Sequence, residues 1–147
     1  MRWIKDLFGV SETFTDRMSQ VVETHALEVV HGDHESCLVV IECLGERLET
    51  FVMLHDDAQV TLTIFSTIHF PKGRLPGSMC NILERMNEKL QWFQYGPHNG
   101  RKDSRFVVRA TISFSQFTPE SFAAAVQEMA PRITALDEVL EKNGYVR

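Results

Sequence analysis

The stretch Ser36–Phe70, SCLVVIECLGERLETFVMLHDDAQVTLTIFSTIHF, decides the fold. It divides into three predicted strands, Ser36–Leu44, Arg47–His55 and Gln59–Phe70, with turns at Gly45-Glu46 and Asp56-Asp57. Glycine supplies the positive φ that tight hairpin turns need, and Asp is a common turn residue. The stretch therefore predicts a three-stranded antiparallel meander.

Alternating side chains assign residues to the two faces of this meander, because successive side chains of a strand point to opposite faces. The third strand places Val60, Leu62, Ile64 and Ile68 on one face and Thr61, Thr63, Phe65, Thr67 and His69 on the other. The first two strands are apolar on both faces, with Phe51 and Met53 opposite Leu48 and Val52. Both faces must then be covered. The second face meets either the chain's own helices or a partner subunit or ligand.

The length of 147 residues predicts one α+β domain over residues 11–147, preceded by a helical extension over residues 1–10. A net charge of −5 without an evident basic face argues against a nucleic-acid partner. The longest apolar run, Cys37–Ile41, is too short to span a membrane. An odd count of three cysteines and no signal-peptide pattern predict reduced thiols and a cytoplasmic location.

Amphipathic segments precede the meander. Met1–Gly9 carries Trp3, Ile4, Leu7 and Phe8 at helical spacing and either docks on a partner or packs on its own domain. Ser11 is the predicted cap of a helix that ends near His25, and Leu27–His31 is a candidate extra strand.

A middle helix and a second hairpin follow the meander. Ser78 is the predicted helix cap, and Met79, Ile82, Leu83, Met86 and Leu90 form the apolar stripe up to the predicted end at Leu90. Gln91–Tyr95 and Phe106–Phe114 are the two predicted strands, with Gly96–Ser104 as a polar loop between them.

The last helix has the clearest start and stop signals. Thr118 is the predicted cap, Pro119 occupies the first helical position, and Asn143-Gly144 is the predicted stop. Its apolar positions form a seam through Phe122, Val126, Met129, Ile133, Leu136 and Leu140. Pro131 inside the helix predicts a kink.

The resulting order, α-βββ-α-ββ-α, resembles the type III secretion chaperone-like fold and within it the YbjN-like family. The resemblance covers about Ser11–Leu140 and is carried by Ile82–Gln94, ILERMNEKLQWFQ, with Asn87 in the middle helix and Trp92-Phe93 after it. A strand with Arg109, followed by Thr118-Pro119-Glu120 at the start of a long helix, is also similar to the family pattern. The Trp-bearing N-terminal segment and the His and Asp residues before the meander depart from that pattern.

The resemblance implies a small, non-enzymatic and often dimeric protein. Secretion chaperones of this fold dimerise and hold an extended segment of a client protein against apolar patches, and regulatory or chaperone-like roles are suggested for the YbjN-like branch. The resemblance implies no cofactor.

Catalytic and metal-binding patterns are weak in this sequence. His25, His31, Asp33 and His34 form the nearest approach to a metal site, although they fall around a predicted turn. Cys37 and Cys43 share a strand face but lie too far apart to form a disulfide, and Cys80 lacks a placed base.

These patterns favour a non-enzymatic protein-binding module that is chaperone-like or regulatory and acts as a homodimer with a protein or peptide partner. The candidate partner-binding residues are Trp3, Phe8, Phe51, Met53, Phe65, Trp92, Phe93 and Arg109. The alternative is a small-molecule or metal-binding sensor, or a small enzyme, with a pocket between the sheet and the helices.

Overall fold

The computed structural model describes residues 12–90 and 92–146. The predicted N-terminal helix Met1–Gly9, with Trp3 and Phe8, and the predicted cap Ser11 lie outside the described residues. The elements in chain order are α1 Phe14–His25, β1 Glu28–Gly32, β2 Ser36–Cys43, β3 Glu46–His55, β4 Gln59–Phe65, β5 Phe70–Pro71, α2 Gly77–Asn87, β6 Phe93–Asn99, β7 Asp103–Ser113, a 3₁₀ turn Phe114–Gln116 and α3 Pro119–Lys142.

The strands form one seven-stranded antiparallel sheet. Strand β7 pairs with β4 along one side and with its hairpin partner β6 along the other. Ser104 of β7 pairs with both Phe70 and Asn99, so the short β5 lies on the β4 side and resumes the line of that strand. The strand order is therefore β1-β2-β3-β4-β7-β6, and the predicted α+β class and antiparallel meander are confirmed.

The predicted order α-βββ-α-ββ-α lacks two of the strands that the structure contains. The candidate extra strand is present as β1, shifted by one residue, and has a bulge between Val29 and His31. The predicted strand Gln59–Phe70 is wrong as one strand, because β4 ends at Phe65 and pairing resumes only at Phe70. Buried Asp137 of α3 accepts hydrogen bonds from the Ser66 hydroxyl, the Thr67 hydroxyl and the Thr67 backbone N–H, which takes this segment out of the sheet.

Three predicted boundaries are also wrong. The first hairpin turn uses Leu44 and Gly45, at φ 52° and 79°, because Cys43 pairs directly with Glu46. Helix α2 begins at Gly77 after Pro76 and ends at Asn87, so Ser78 is not its cap. The second hairpin extends through most of the predicted loop, because Pro97 lies on an edge strand, where a missing N–H is tolerated.

One face of the sheet packs against the helices and forms the core. Helix α3 contacts β7, β4, β2 and α1, whereas α2 contacts β6. The apolar seam predicted for α3 is confirmed: its members are buried, with Val126 partly so. Thr118 caps α3 in a capping box with Ser121, and Gly144 follows the helix end at φ 89°, as predicted. Thr13 caps α1 in a capping box with Asp16, so the prediction of Ser11 as the cap of this helix is wrong.

Candidate functional site

The sheet face that points away from the helices is here called the open face. Besides the charged Glu42, Arg47 and Glu49, it carries Leu38, Val40, Phe51, Met53, Thr61, Thr63, Phe65, Arg105, Val107, Arg109 and Thr111, which the strand registers place side by side. Val39, Leu48, Val52 and Leu62, which alternate with them, are fully buried beneath the helices. Leu38, Val40, Phe51 and Met53 are half-buried and do not belong to the core cluster. The open face thus contains a second apolar patch, flanked by charged residues, that no helix of residues 12–90 and 92–146 brings into the core.

Phe65 is the centre of a small cluster on the open face. The Arg105 guanidinium lies 4.7 Å from the centroid of the Phe65 ring, and the His98 ring meets Phe65 edge-on with centroids 5.0 Å apart. Arg105 also donates from Nε to the Ser66 carbonyl at 2.9 Å and from Nη1 to Glu49 Oε1 at 3.2 Å. These bonds fix the guanidinium plane over the ring, which is the geometry of a cation–π contact.

The pKa of His98 reflects the burial and the charges around this cluster. Desolvation lowers the pKa of His98 below its ordinary value of 6.5, and the positive charges of Arg109 and Arg105 lower this pKa further. Asp103 acts in the opposite direction as the weakest of the four causes. At the β6–β7 end of the open face, burial and the two guanidinium groups therefore favour a neutral imidazole over a charged one.

Arg109 lies next to this cluster, between Thr63 of β4 and Gln94 of β6. Its side chain is exposed, and Nη2 makes a long hydrogen bond of 3.4 Å to the Pro97 carbonyl. An open cleft of about 500 Å³ beside it is lined by His55, Thr61, Trp92, Phe93, Gln94, Arg109, Ala110 and Thr111.

Trp92 forms one wall of this cleft and is 43% exposed. Its indole N–H donates to Glu128 of α3 at 3.0 Å, and its ring packs edge-on against Phe93 with centroids 4.7 Å apart. A large aromatic ring that is both exposed and held in place is a typical contact residue of a protein interface.

The structure brings most of the predicted partner-binding residues together. Phe51, Met53, Phe65 and Arg109 share the open face, where Phe65 is only 8% exposed beneath Arg105 and His98, and Trp92 stands at its rim. Phe93 differs, because it is 4% exposed on the helix-covered face with the Arg132 guanidinium 5.0 Å from its ring centroid. Trp3 and Phe8 lie outside the described residues.

Arg105 and His98 were missed as candidates from the sequence. Both fall in or beside the segment predicted to be a polar loop, whereas the structure pairs them across β6 and β7. Extending the alternation of β7 backwards from Phe106 would have placed Arg105 on the same face as Arg109.

In the part of the chain that the structure describes, the fold does not bring the candidate metal-binding residues together. Among the residues that the structure describes, no group of three or more His, Cys, Asp or Glu side chains could hold a metal ion. Asp33 instead closes its own turn by accepting bonds from the Glu35 and Ser36 backbone, and these bonds lower the pKa of its carboxyl group. Burial raises the pKa of the Cys37 and Cys43 thiols, which disfavours the nucleophilic thiolate.

Comparisons with protein-family models, curated proteins and solved structures found no match for this chain. In the described part of the chain, no helix combines the length and apolar character that crossing a membrane requires.

Proposed function

We propose that this chain is a non-enzymatic, chaperone-like protein-binding module that works as a homodimer in the cytoplasm and holds a partner segment on the open face. The observation that carries the proposal is the second apolar sheet face, whose half-buried Phe51 and Met53 lie outside the core cluster. Apolar side chains grouped on an exposed surface mark sites of protein interaction.

The resemblance to the YbjN-like branch of the type III secretion chaperone-like fold supports the same proposal. It rests on Asn87, Trp92-Phe93, Arg109 and the Thr118-Pro119 helix start. Proteins of that fold hold client segments against apolar patches, which is the role that the open face would have here.

Helix α2 offers a separate surface for the homodimer. Its predicted apolar stripe is only partly used by the core: Met79 and Leu83 are buried, but Ile82 is 42% and Met86 39% exposed. Two apolar side chains one helical turn apart suit a helix-to-helix contact between two copies. In this proposal α2 forms the dimer and the open face holds the client.

Light scattering after size exclusion tests the dimer. At micromolar concentration we expect a mass twice the 16.9 kDa of the chain. Met86→Ser should shift the chain toward the monomer, whereas Phe51→Thr should leave the mass unchanged. A strict monomer would overturn the homodimer.

Suppression of the aggregation of reduced insulin tests the client surface. We expect the native chain to suppress light scattering and Phe51→Thr to lose most of that effect, while Met86→Ser retains more of it. Thermal unfolding of both variants shows that each remains folded. Equal suppression by native chain and Phe51→Thr, or none by the native chain, would contradict a client site on the open face.

A further inference from the structure

Within the described residues, Arg109 differs from the other arginines of the sheet in having no carboxylate partner. Arg47 pairs with Glu28, and Arg105 pairs with Glu49. In residues 12–90 and 92–146, Arg109 forms no ion pair and has only the long bond to the Pro97 carbonyl. The guanidinium therefore retains most of its donor groups for a further ligand.

The cleft beside Arg109 suits an anionic group. Its lining contains the hydroxyl groups of Thr61 and Thr111 and the amide of Gln94, but no carboxylate. This is unexpected for a chain with a net charge of −5, and it leaves the cleft without an internal counter-ion. An arginine fork with neighbouring neutral donors is the usual setting for a carboxylate.

Among the residues that the structure describes, no carboxylate forms an ion pair with Arg109, whereas Arg105 is paired with Glu49. Desolvation, followed by the positive charges of Arg109 and Arg105, lowers the pKa of the neighbouring His98. A bound anion would offset the charge of Arg109, whereas a bound cation would be repelled by it.

The distance between Phe51 and Arg109 on the open face indicates which ligand conformation can contact both. Phe51 pairs with Thr63, and Thr63 pairs with Arg109, so Phe51 and Arg109 lie two strands apart, about 10 Å at the usual strand spacing. Side chains on one face of an extended peptide repeat about every 7 Å. A segment lying obliquely across the strands can therefore place a carboxylate at Arg109 and apolar side chains at Phe51 and Met53.

We infer that the segment held on the open face is an extended, acidic and apolar stretch of a partner protein, whose carboxylate pairs with Arg109 and whose apolar side chains contact Phe51, Met53 and the Trp92 ring. This inference rests on the proposed function and gives the chemistry of its client. Phe51 and Met53 supply apolar contact, while Arg109 selects acidic segments over neutral or basic ones.

Fluorescence anisotropy with three labelled peptides tests this selection on the full chain. The probes alternate leucine with aspartate, with asparagine or with lysine and are otherwise identical. We expect the aspartate peptide to bind about tenfold more tightly than the asparagine peptide, and the lysine peptide to bind most weakly. Arg109→Gln should remove the preference for aspartate, Arg109→Lys should retain part of it, and added salt should reduce it in the native chain.

Arg74→Gln is the matched control, because Arg74 is exposed in the loop between β5 and α2, outside the surfaces proposed for the dimer and the client, and its loss changes the net charge equally. Equal binding of the aspartate and asparagine peptides would overturn the inference but leave the proposed function intact, provided that Phe51→Thr weakens both. Unchanged discrimination in Arg109→Gln would also overturn it. If Arg109→Gln altered the monomer–dimer equilibrium and not peptide binding, the occupant of this face would be a second copy, which contradicts the inference. Binding of none of the peptides would count against the proposed function itself.

Discussion

The side chain of Asn87 on α2 forms two hydrogen bonds with the backbone of Tyr95 on β6, at the outer edge of the sheet. Its Nδ2 donates to the Tyr95 carbonyl at 2.9 Å, and its Oδ1 accepts the Tyr95 backbone N–H at 2.8 Å. Strand β6 pairs with β7 on its other side, so the Asn87 amide occupies the place of a neighbouring strand. An unpaired strand edge is a template for unwanted pairing, and this two-point contact blocks it next to the open face.

Replacement of Asn87 should weaken the fold, because both partner atoms of Tyr95 would lose their bond. We expect Asn87→Ala to lower the free energy of unfolding by about 1–3 kcal/mol. Asn87→Asp should also be destabilising, since a carboxylate cannot donate to the Tyr95 carbonyl. Urea denaturation measures the free energy, and amide hydrogen exchange at Tyr95 reports the local opening.

Asn81→Ala is the control for this prediction, because Asn81 is exposed on the same helix. It should leave the urea midpoint within the range of an ordinary surface change, about 0.5 kcal/mol. Equal midpoints for Asn87→Ala and Asn81→Ala would show that the amide does not stabilise the edge.

Helix caps give a second prediction, because the sequence predicts three caps, Ser11, Ser78 and Thr118, and of these the structure contains Thr118. Thr118 accepts the Ser121 N–H at 3.1 Å, whereas α2 starts after Pro76 without a side-chain cap. Thr118→Ala should cost about 1 kcal/mol of unfolding free energy. Ser78→Ala should cost nothing, since alanine is the better helix former. The difference in thermal midpoint between the two variants checks the assignment, and a larger loss for Ser78→Ala would contradict it.

The meander could be predicted because its information is local. Alternation and hairpin turns predicted the strands that carry Phe51, Met53 and Phe65 and the alternation of their side chains, whereas the registers of β3, β4 and β7 place these residues and Arg109 on one surface. Trp92 and Phe93 could not be separated by pattern, since both are aromatic neighbours at a strand start. Only the packing of α3 shows that Phe93 enters the core while Trp92 reaches Glu128.

Long-range contacts explain what the sequence could not reveal. The break after Phe65 depends on Asp137, 71 residues away from Ser66 in the chain. The continuation of the second hairpin through Gly96–Asn99 depends on pairing with β7, which outweighs the local turn signals of Gly and Pro. Arg105 and His98 lie at the site only because β6 and β7 pair along this segment.

His98 provides a pH-dependent prediction. Its pKa is lowered in the fold, so the unfolded chain binds a proton more readily as the pH falls through 6.5. Unfolded-state protonation then destabilises the fold, and stability should decline between pH 6.5 and the lower pKa of folded His98. His98→Gln should remove part of this decline when urea midpoints are compared across that range.

Arg109 should influence the same titration. Its positive charge is the second cause of the lowered pKa after desolvation, so Arg109→Gln should move the pKa of His98 back toward 6.5. NMR titration of the imidazole proton measures this shift directly. Arg85→Gln serves as the control and should leave the titration curve unchanged. A curve for Arg109→Gln that coincides with the native one would show that Arg109 does not set the potential at His98.

Asp137 gives the largest expected loss of stability. Its side chain is fully buried and accepts bonds from Ser66 Oγ, Thr67 Oγ1 at 2.8 Å and the Thr67 N–H at 3.2 Å. Asp137→Ala leaves these donors buried without an acceptor, which should cost about 3 kcal/mol or more. Asp137→Asn should also be destabilising, because its amide nitrogen would face a donor.

A double-mutant cycle separates this network from simple loss of packing. Thr67→Val removes one donor, so Asp137→Ala should cost less in the Thr67→Val background than in the native chain, with a coupling energy of about 0.5–3 kcal/mol. Exposed Glu138 supplies the control variant Glu138→Ala on the same helix.

Ser66 also accepts the Arg105 Nε–H through its carbonyl, so loss of Asp137 should loosen Arg105 above the Phe65 ring. Additive free energies in the cycle, together with unchanged aromatic resonances of Phe65, would contradict a network that links the core to the open face.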